Sequence, residues 1–398
     1  MATQNPNIPN PPATFDDLPP ELVMMILREI DDPLTLGSML NASPRAMRVF
    51  HLSPTDITGP VLYPGEGSAI HDMICIVAAI RMGKITSPSL NHFYNQYISR
   101  IGQTGGSRTL EHILDTMNRN DSNRCRWIPE TVYKVRWHTK RCLKYYMDRF
   151  MTLRTERPRD PNFQYANHPL PPWRRRVVSY WPATYSTGRP TAQEEFLVLR
   201  AFWRLQIEYE LQNAYIAGIL HWPQDEASLF PFDRSQIWAE SDDDEFKAIM
   251  ATVSEYVRAN KDQDYPIIAD NDTQTLRRLP RTQKSWSFTY RAPDDLPESL
   301  ECDDESIRAH PQPGVQFWDM LCWDPFSPLQ GIPFDHFVQF GFAIWDLQRF
   351  CARYLLSPDE SIWTQTNTNA RARLYFTWRR LLTAQQRRDI DARSDAVV

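Results

Sequence analysis

The strongest periodic pattern in the chain covers residues 194–220 and predicts a long helix. Thr191 and Glu194 have the Thr-x-x-Glu spacing of a capping box, which satisfies free backbone N–H groups where a helix begins. Beyond it, apolar side chains recur every three or four residues and share one helix face: Phe196, Leu199, Trp203, Ile207, Leu211, Tyr215 and Ile219. A second apolar stripe lies beside the first: Val198, Phe202, Leu205, Tyr209 and Ile216. A helix that is apolar on two sides is expected to lie in the centre of a core.

A second strong helical pattern runs from about Pro333 to Leu356, where Ser357-Pro358 is expected to end it. Its predicted apolar face contains Phe337, Phe340, Ile344, Leu347, Cys351 and Leu355. Weaker helical patterns occur near residues 70–82, 89–100, 108–118, 129–152, 244–259 and 371–383. Gly83 is expected to cap the first of these in a left-handed conformation.

Outside these patterns the chain predicts loops rather than strands. Stretches dominated by Pro, Asn, Asp and Ser predict loops at about 155–190, 222–242 and 262–332. The last is long for an ordered connection, so short helices or disorder within it both remain open. No sustained apolar/polar alternation of the kind found in sheet proteins is present. The predicted fold class is therefore all-α, with an irregular helical domain and long loops over residues 60–398.

Prolines divide residues 14–54 into three predicted short helices. Pro19-Pro20 suit the first turn of a helix that reaches about Ile30. Asp32-Pro33 and Ser43-Pro44 each combine an N-cap residue with a proline at the first helical position, which predicts two further helices. Residues 1–13 contain four prolines and no periodicity, which predicts a disordered tail.

The first of these helices is more apolar than two short neighbouring helices can cover. Its apolar residues are Leu22, Val23, Met24, Met25, Ile26, Leu27 and Ile30. Either Ile26 and Ile30 point inward while Val23 and Leu27 point outward, or the reverse. The surplus apolar face is expected to meet the rest of the chain or another protein.

This segment resembles an F-box, the helical motif that binds the Skp-type adaptor of cullin–RING ubiquitin ligases. The resemblance lies in Leu18-Pro19, Glu21-Leu22, Ile26-Leu27, Ile30, Leu34, Leu36, Leu40, Ser43-Pro44-Arg45 and the apolar end Phe50–Leu52. It covers about a tenth of the chain, and it departs from many F-boxes in carrying Ala46-Met47 where they have a Trp in the third helix. The resemblance implies that the following residues are divided between the core of the motif and its adaptor-facing surface: Leu18, Pro19, Leu22, Val23, Ile26, Leu27, Leu36 and Leu40.

The composition of the chain does not favour other classes of partner. The net charge is −5, so neither nucleic acid nor an anionic membrane is an expected partner. No signal peptide is visible, and no apolar run approaches the about 20 residues that span a bilayer. The six cysteines form neither a disulfide framework nor a zinc pattern. These features predict a soluble intracellular protein, in the cytoplasm or the nucleus.

No pattern of catalytic or metal-binding residues emerges, so an enzyme is not predicted and no cofactor is expected. Three Trp-Asp pairs (Trp318-Asp319, Trp323-Asp324 and Trp345-Asp346) lie only 5 and 22 residues apart, whereas the blades of a propeller repeat every about 40–45 residues. Asp242-Asp243-Asp244-Glu245 lies where a helix is expected to begin, and it complements the helix dipole without the spacing of a calcium loop.

The sequence therefore favours a non-catalytic adaptor that links a ubiquitin ligase to an unknown protein target. The alternative is a helical interaction protein in which the F-box-like segment is purely structural. Two segments are candidates for the target side. Residues 124–176 carry 14 Lys/Arg against 4 Asp/Glu and include Trp173-Arg174-Arg175-Arg176, whereas the aromatic segment Phe317–Phe342 is either folded onto the core or lines a groove. Residues 240–308 carry 9 Lys/Arg and 17 Asp/Glu, so the acidic and basic segments either face each other or form separate partner surfaces.

Overall fold

The computed structural model describes most of the predicted helices and few of the predicted loops. The described residues are 15–30, 33–53, 56–57, 69–85, 87–101, 127–160, 177–182, 188–223, 244–260, 313–323, 327–356 and 368–395. The predicted tail at 1–13, the predicted helix at 108–118, Trp173–Arg176 and most of the predicted 262–332 loop lie outside these residues.

Helices dominate the described residues, which confirms the all-α prediction. They are α1 (Pro20–Arg28), α2 (Pro33–Ala42), α3 (Pro44–Leu52), α4 (Ala69–Arg81), α5 (Leu90–Tyr97), α6 (Trp127–Met151), α7 (Ala192–Ile216), α8 (Asp244–Ala259), α9 (Pro313–Trp323), α10 (Asp335–Val338), α11 (Leu347–Ala352), α12 (Thr368–Leu381) and α13 (Ala384–Asp395). Short 3₁₀ helices lie at Phe15–Asp17 and Ile98–Arg100. Two strands, β1 (Arg157–Pro158) and β2 (Ser179–Tyr180), pair antiparallel within the predicted 155–190 loop.

The chain divides into two compact units, and each is built from two separate stretches of sequence. The first unit comprises Met1–Arg136 and Glu210–Pro223. The second comprises Trp137–Tyr209 and Gln224–Val398. The three-helix segment α1–α3 is thus part of the first unit.

Helix α4 is a core element of the first unit. Its residues 71–80 are all buried, which is typical of a helix covered on every face. Gly83 follows it with φ +67°, and Lys84 N donates to Ala79 O at 3.0 Å, so the predicted left-handed cap is confirmed.

The segment Glu210–Pro223 is fastened to the rest of the first unit by polar contacts. Arg81 Nε donates to Glu210 Oε1 at 2.8 Å, and Arg81 Nη1 donates to Thr131 Oγ1 at 2.8 Å. Trp222 Nε1 donates to Ser87 O at 2.8 Å. The indole of Trp222 also lies 6.2 Å from the ring of Phe93, centroid to centroid. The contacts of Glu210 and Trp222 join residues more than 100 positions apart in the sequence.

Helix α7 begins with the predicted capping box and is buried along most of its length. Thr191 N donates to Glu194 Oε2 at 2.9 Å, and Glu194 N donates to Thr191 Oγ1 at 3.3 Å. Both predicted stripes are buried in residues 196–207, which confirms the expected core position. Apolar side chains become exposed at the last residue of the helix, Ile216, and just beyond its end, at Ile219.

A buried ion pair anchors the start of α7 in the second unit. Glu194 and Arg349 are 0% and 2% exposed. Glu194 Oε1 accepts from Arg349 Nε at 2.7 Å and from Asp346 N at 3.0 Å, and Oε2 accepts from Arg349 Nη2 at 2.8 Å. Arg349 Nη2 donates in addition to Arg189 O at 2.9 Å. Capping and ion pairing therefore use the same carboxylate, so its desolvation is offset by several hydrogen bonds.

Aromatic side chains around Trp378 fill the core of the second unit. The Trp378 indole lies 4.8–5.2 Å from the rings of Phe317, Phe337 and Phe342, and its Nε1 donates to Leu355 O at 2.9 Å. Aromatic pairs at these distances add to the stabilisation from buried area. Because Phe317 is fully buried, this part of the predicted aromatic segment is folded onto the core rather than open to solvent.

The predicted continuous helix from Pro333 to Leu356 is wrong. The structure has α10 at Asp335–Val338, turns, and then α11 at Leu347–Ala352. Gly341 interrupts the helix with φ +73°, and a Cβ on it would lie 2.9 Å from Tyr146 Cβ. Asp346 caps α11 by accepting from Arg349 N at 2.9 Å, so Trp345-Asp346 lies at a helix start and not within a helix.

Candidate protein-binding site

Helix α1 begins and ends where its sequence predicts, within two residues. Pro19 is the N-cap and Pro20 opens the helix, because proline loses no helical hydrogen bond at this position. Glu21 lies in the first turn and Arg28 in the last, and both signs of charge complement the helix dipole. Glu29 N donates to Met25 O at 3.2 Å and closes the last turn.

All three helices contribute buried side chains to the core of the three-helix segment. Val23 and Leu27 of α1 are fully buried, as is Leu36 of α2. Helix α3 packs against both α1 and α2. It contributes Ala46, Val49 and Phe50, all at most 2% exposed. The spacing of four residues between Val23 and Leu27 places both on the same side of α1.

Ser43 fixes the start of α3 and joins it to the chain before α1. Its Oγ accepts from Ala46 N at 3.0 Å, which is the predicted N-cap. The same hydroxyl donates to Asp16 Oδ1 at 2.5 Å. Because Asp16 belongs to the 3₁₀ helix that leads into α1, this bond fixes the entry of α1 against α3.

The opposite side of α1 carries an exposed apolar face, which we call the α1 face and define as Leu22, Met25 and Ile26. Their side chains are 45%, 60% and 37% exposed. The positions i, i+3 and i+4 place them together on the helix surface. Of the two arrangements open in the sequence, the structure therefore has Val23 and Leu27 inward and Ile26 outward.

The eight residues that the F-box resemblance singles out fall into two groups. Val23, Leu27, Leu36 and Leu40 are at most 3% exposed and lie inside the three-helix segment. Leu22 and Ile26 are exposed, Pro19 is exposed and Leu18 is half-buried. Met25 belongs to the same face, although the sequence comparison with the motif did not single it out. The spacing of three residues between Leu22 and Met25 is the sequence signal that would have placed Met25 on this face.

The second unit contains a different exposed apolar surface, on the β1–β2 hairpin. Val178, Tyr180 and Trp181 are 64%, 44% and 66% exposed. Arg154 lies over the ring of Trp181, with its guanidinium carbon 6.0 Å from the ring centroid. Strand β1 lies within the basic segment 124–176 predicted for the target side, of which residues 127–160 are described, whereas β2 lies just beyond that segment.

The described residues offer little reactive chemistry. Cys75, Cys142, Cys322 and Cys351 are free thiols. Burial raises the pKa of Cys322 and of Cys351 to about 11, so both thiols are protonated at neutral pH. No cluster of three potential metal ligands occurs within the described part of the chain. No helix in that part is long and apolar enough to cross a membrane.

Comparisons with known proteins return nothing: no protein-family model, no curated protein and no solved structure matches the chain.

Proposed function

We propose that the chain is a non-catalytic adaptor whose α1 face binds the Skp-type adaptor of a cullin–RING ubiquitin ligase, with another surface holding a target protein. The observation that carries this proposal is the α1 face itself. It is apolar and exposed, and it lies on the helix whose sequence resembles the start of an F-box. An apolar helix face of this kind suits a groove on a partner.

Two features of the three-helix segment support an α1 face that is ordered before a partner binds. The buried side of α1 is fixed by Val23 and Leu27, so the exposed side has a defined orientation. The Ser43–Asp16 hydrogen bond anchors the chain just before α1. A surface that is already ordered loses less conformational entropy when it binds.

The test is binding of purified full-length protein to a purified Skp-type adaptor, measured by calorimetry. The variant Leu22→Asp/Met25→Asp places two carboxylates in the α1 face. Burial of each native side chain contributes about 1 kcal/mol, in proportion to its exposed fraction, and a buried carboxylate adds a desolvation cost. The affinity is expected to fall by about 100-fold or more.

The matched control is Ser38→Asp/Asn41→Asp, which adds the same charge at two exposed positions of α2. It is expected to bind like the wild type. Leu27→Asp is unsuitable as a probe, because Leu27 is fully buried and a carboxylate there would unfold the segment. Absence of adaptor binding by the wild type, or equal binding by both double variants, would rule out this function and leave the segment a structural one.

A further inference from the structure

Arg157, in β1 of the second unit, forms no ion pair with a carboxylate of the described residues. Its side chain is half-buried, and its Nε has no hydrogen-bond partner among the described residues. The neighbouring carboxylate is engaged elsewhere: Glu156 Oε2 accepts from Ser179 Oγ at 3.0 Å and lies 3.3 Å from Arg380 Nε. A guanidinium in such a place has donors available for an additional acceptor.

The surroundings of Arg157 include a second positive charge. Burial lowers the pKa of Arg157; the ionisable Tyr180 hydroxyl acts in the opposite direction, and the positive charge of Arg373 lowers the pKa further. Arg373 lies on α12, the helix that packs against β1. None of the described carboxylates contributes to this pKa. Two like charges close together in a partly desolvated place are stabilised when an anion binds between them.

Tyr354, whose ring lies against the guanidinium of Arg157, itself has a costly backbone conformation. The guanidinium carbon of Arg157 lies 4.8 Å from the centroid of the Tyr354 ring. Tyr354 has φ +57°, the one positive φ of a non-glycine residue in the described chain. Leu355 N donates to Phe350 O at 2.9 Å, so Tyr354 occupies the position after α11 that glycine usually takes. Strained residues of this kind concentrate at binding sites.

Exposed side chains lie beside Arg157 on the hairpin. Arg157 pairs with Tyr180 across the two strands. Tyr180 and its neighbour Trp181 are exposed, as is Arg154. Arginine with exposed aromatic rings is a combination that frequently carries binding energy.

We propose that Arg157 and Arg373, framed by Tyr354 and Tyr180, form a binding site for a phosphate group. Guanidinium groups bind phosphate oxygens through paired, charge-assisted hydrogen bonds. The phosphate belongs either to a small soluble anion or to a phosphorylated side chain, in which case Tyr180 and Trp181 contact the chain that carries it. This site is independent of the α1 face and goes beyond the proposed adaptor function.

Calorimetry on the full-length protein tests the site with two probes, inorganic phosphate and a short phosphoserine peptide. Sodium chloride at matched ionic strength and the unphosphorylated peptide are the blanks. Arg157→Gln and Arg157→Lys are compared with Arg159→Gln, which removes an exposed arginine two residues away. The affinity of the tighter-binding probe is expected to fall about tenfold or more in both Arg157 variants, because lysine cannot form the paired contact, and to stay within about twofold in the control.

Thermal unfolding provides a readout that does not depend on the intrinsic stability of each variant. For every variant, the Tm in phosphate is compared with its own Tm in matched chloride. Near ten times the dissociation constant, the wild type and Arg159→Gln are expected to gain about 2–4 °C, and Arg157→Gln less than half of that. Tighter binding of the peptide would assign the site to a phosphorylated chain, and equal or tighter binding of phosphate would assign it to a soluble anion. No binding by the wild type, or equal losses in Arg157→Gln and Arg159→Gln, would overturn the site.

Discussion

Glu194→Gln is expected to be one of the most destabilising conservative changes in the second unit. The substitution keeps the size of the side chain but removes its charge, so the Arg349 guanidinium, which is 2% exposed, loses the negative charge of Glu194. The carboxylate accepts from Arg349 Nε and Nη2, from Asp346 N and from Thr191 N at 2.7–3.0 Å. In glutamine an NH₂ group replaces one of the two oxygens. An NH₂ group at the position of Oε2 cannot accept the hydrogen bonds from Thr191 N and Arg349 Nη2. Breaking a buried pair of this kind costs about 3–5 kcal/mol.

The double variant Glu194→Gln/Arg349→Met separates the uncompensated charge from the lost hydrogen bonds. Methionine fills much of the arginine volume and carries no charge, so the double variant is expected to lose about 2 kcal/mol less than the sum of the two single variants. The assay is urea unfolding followed by tryptophan fluorescence, because Trp345 and Trp378 lie in the same unit. A loss below about 1 kcal/mol for Glu194→Gln, or strict additivity in the cycle, would refute the reasoning.

Three further predictions concern the same unit. Trp203→Ala is expected to cost about 3–5 kcal/mol in urea unfolding, because Trp203 is 1% exposed; an unchanged stability would place it on the surface. Gly341→Ala is expected to cost about 2 kcal/mol or more of unfolding free energy, because Gly341 has φ +73° and its added Cβ would contact Tyr146. Gly331→Ala, where φ is +69° but the space is open, should cost about 1 kcal/mol. Equal losses in the two variants would contradict the steric contribution. Alkylation of Cys351 at pH 8 is expected to be about 100-fold slower in the folded protein than in the protein unfolded by urea. Burial, followed by the charge of Asp346, raises the pKa of Cys351 to about 11 and so lowers the fraction of thiolate. Equal alkylation rates, measured by mass spectrometry, would contradict this.

Local signals in the sequence predicted the starts of helices well. The Thr191–Glu194 capping box and the Ser43 N-cap depend on residues three positions apart, and both form as expected. The second role of Glu194, its pairing with Arg349, joins residues 155 positions apart. No local pattern encodes such a partner, because it depends on how distant helices pack.

The error at residues 333–356 has a different cause. Of the six predicted face residues, Phe337, Ile344 and Leu355 are fully buried. Phe340, Leu347 and Cys351 are only half-buried, so the apolar periodicity indicated burial correctly for half of the face. It did not indicate a continuous helix, because a chain that turns at Gly341 also brings these side chains into the core. A single glycine within an apolar period was the available warning.

For the candidate site, the sequence predicted a surplus apolar surface on α1 but left its direction open. The alternatives differed in whether Val23 and Leu27 or Ile26 and Ile30 pointed inward. Packing of α3 against α1 decides between them, and this contact depends on tertiary structure. The adaptor contact itself remains a prediction.

The composition of the first unit has a consequence for synthesis of the protein on the ribosome. The unit needs Glu210 and Trp222, which bond to Arg81 and Ser87. Both arrive only after residues 137–209 of the second unit have been made. The N-terminal portion of this unit therefore lacks these two contacts while residues 137–209 are being made. A fragment that stops at Arg136 lacks the same contacts and is expected to aggregate, so the α1 face is best studied in the full chain.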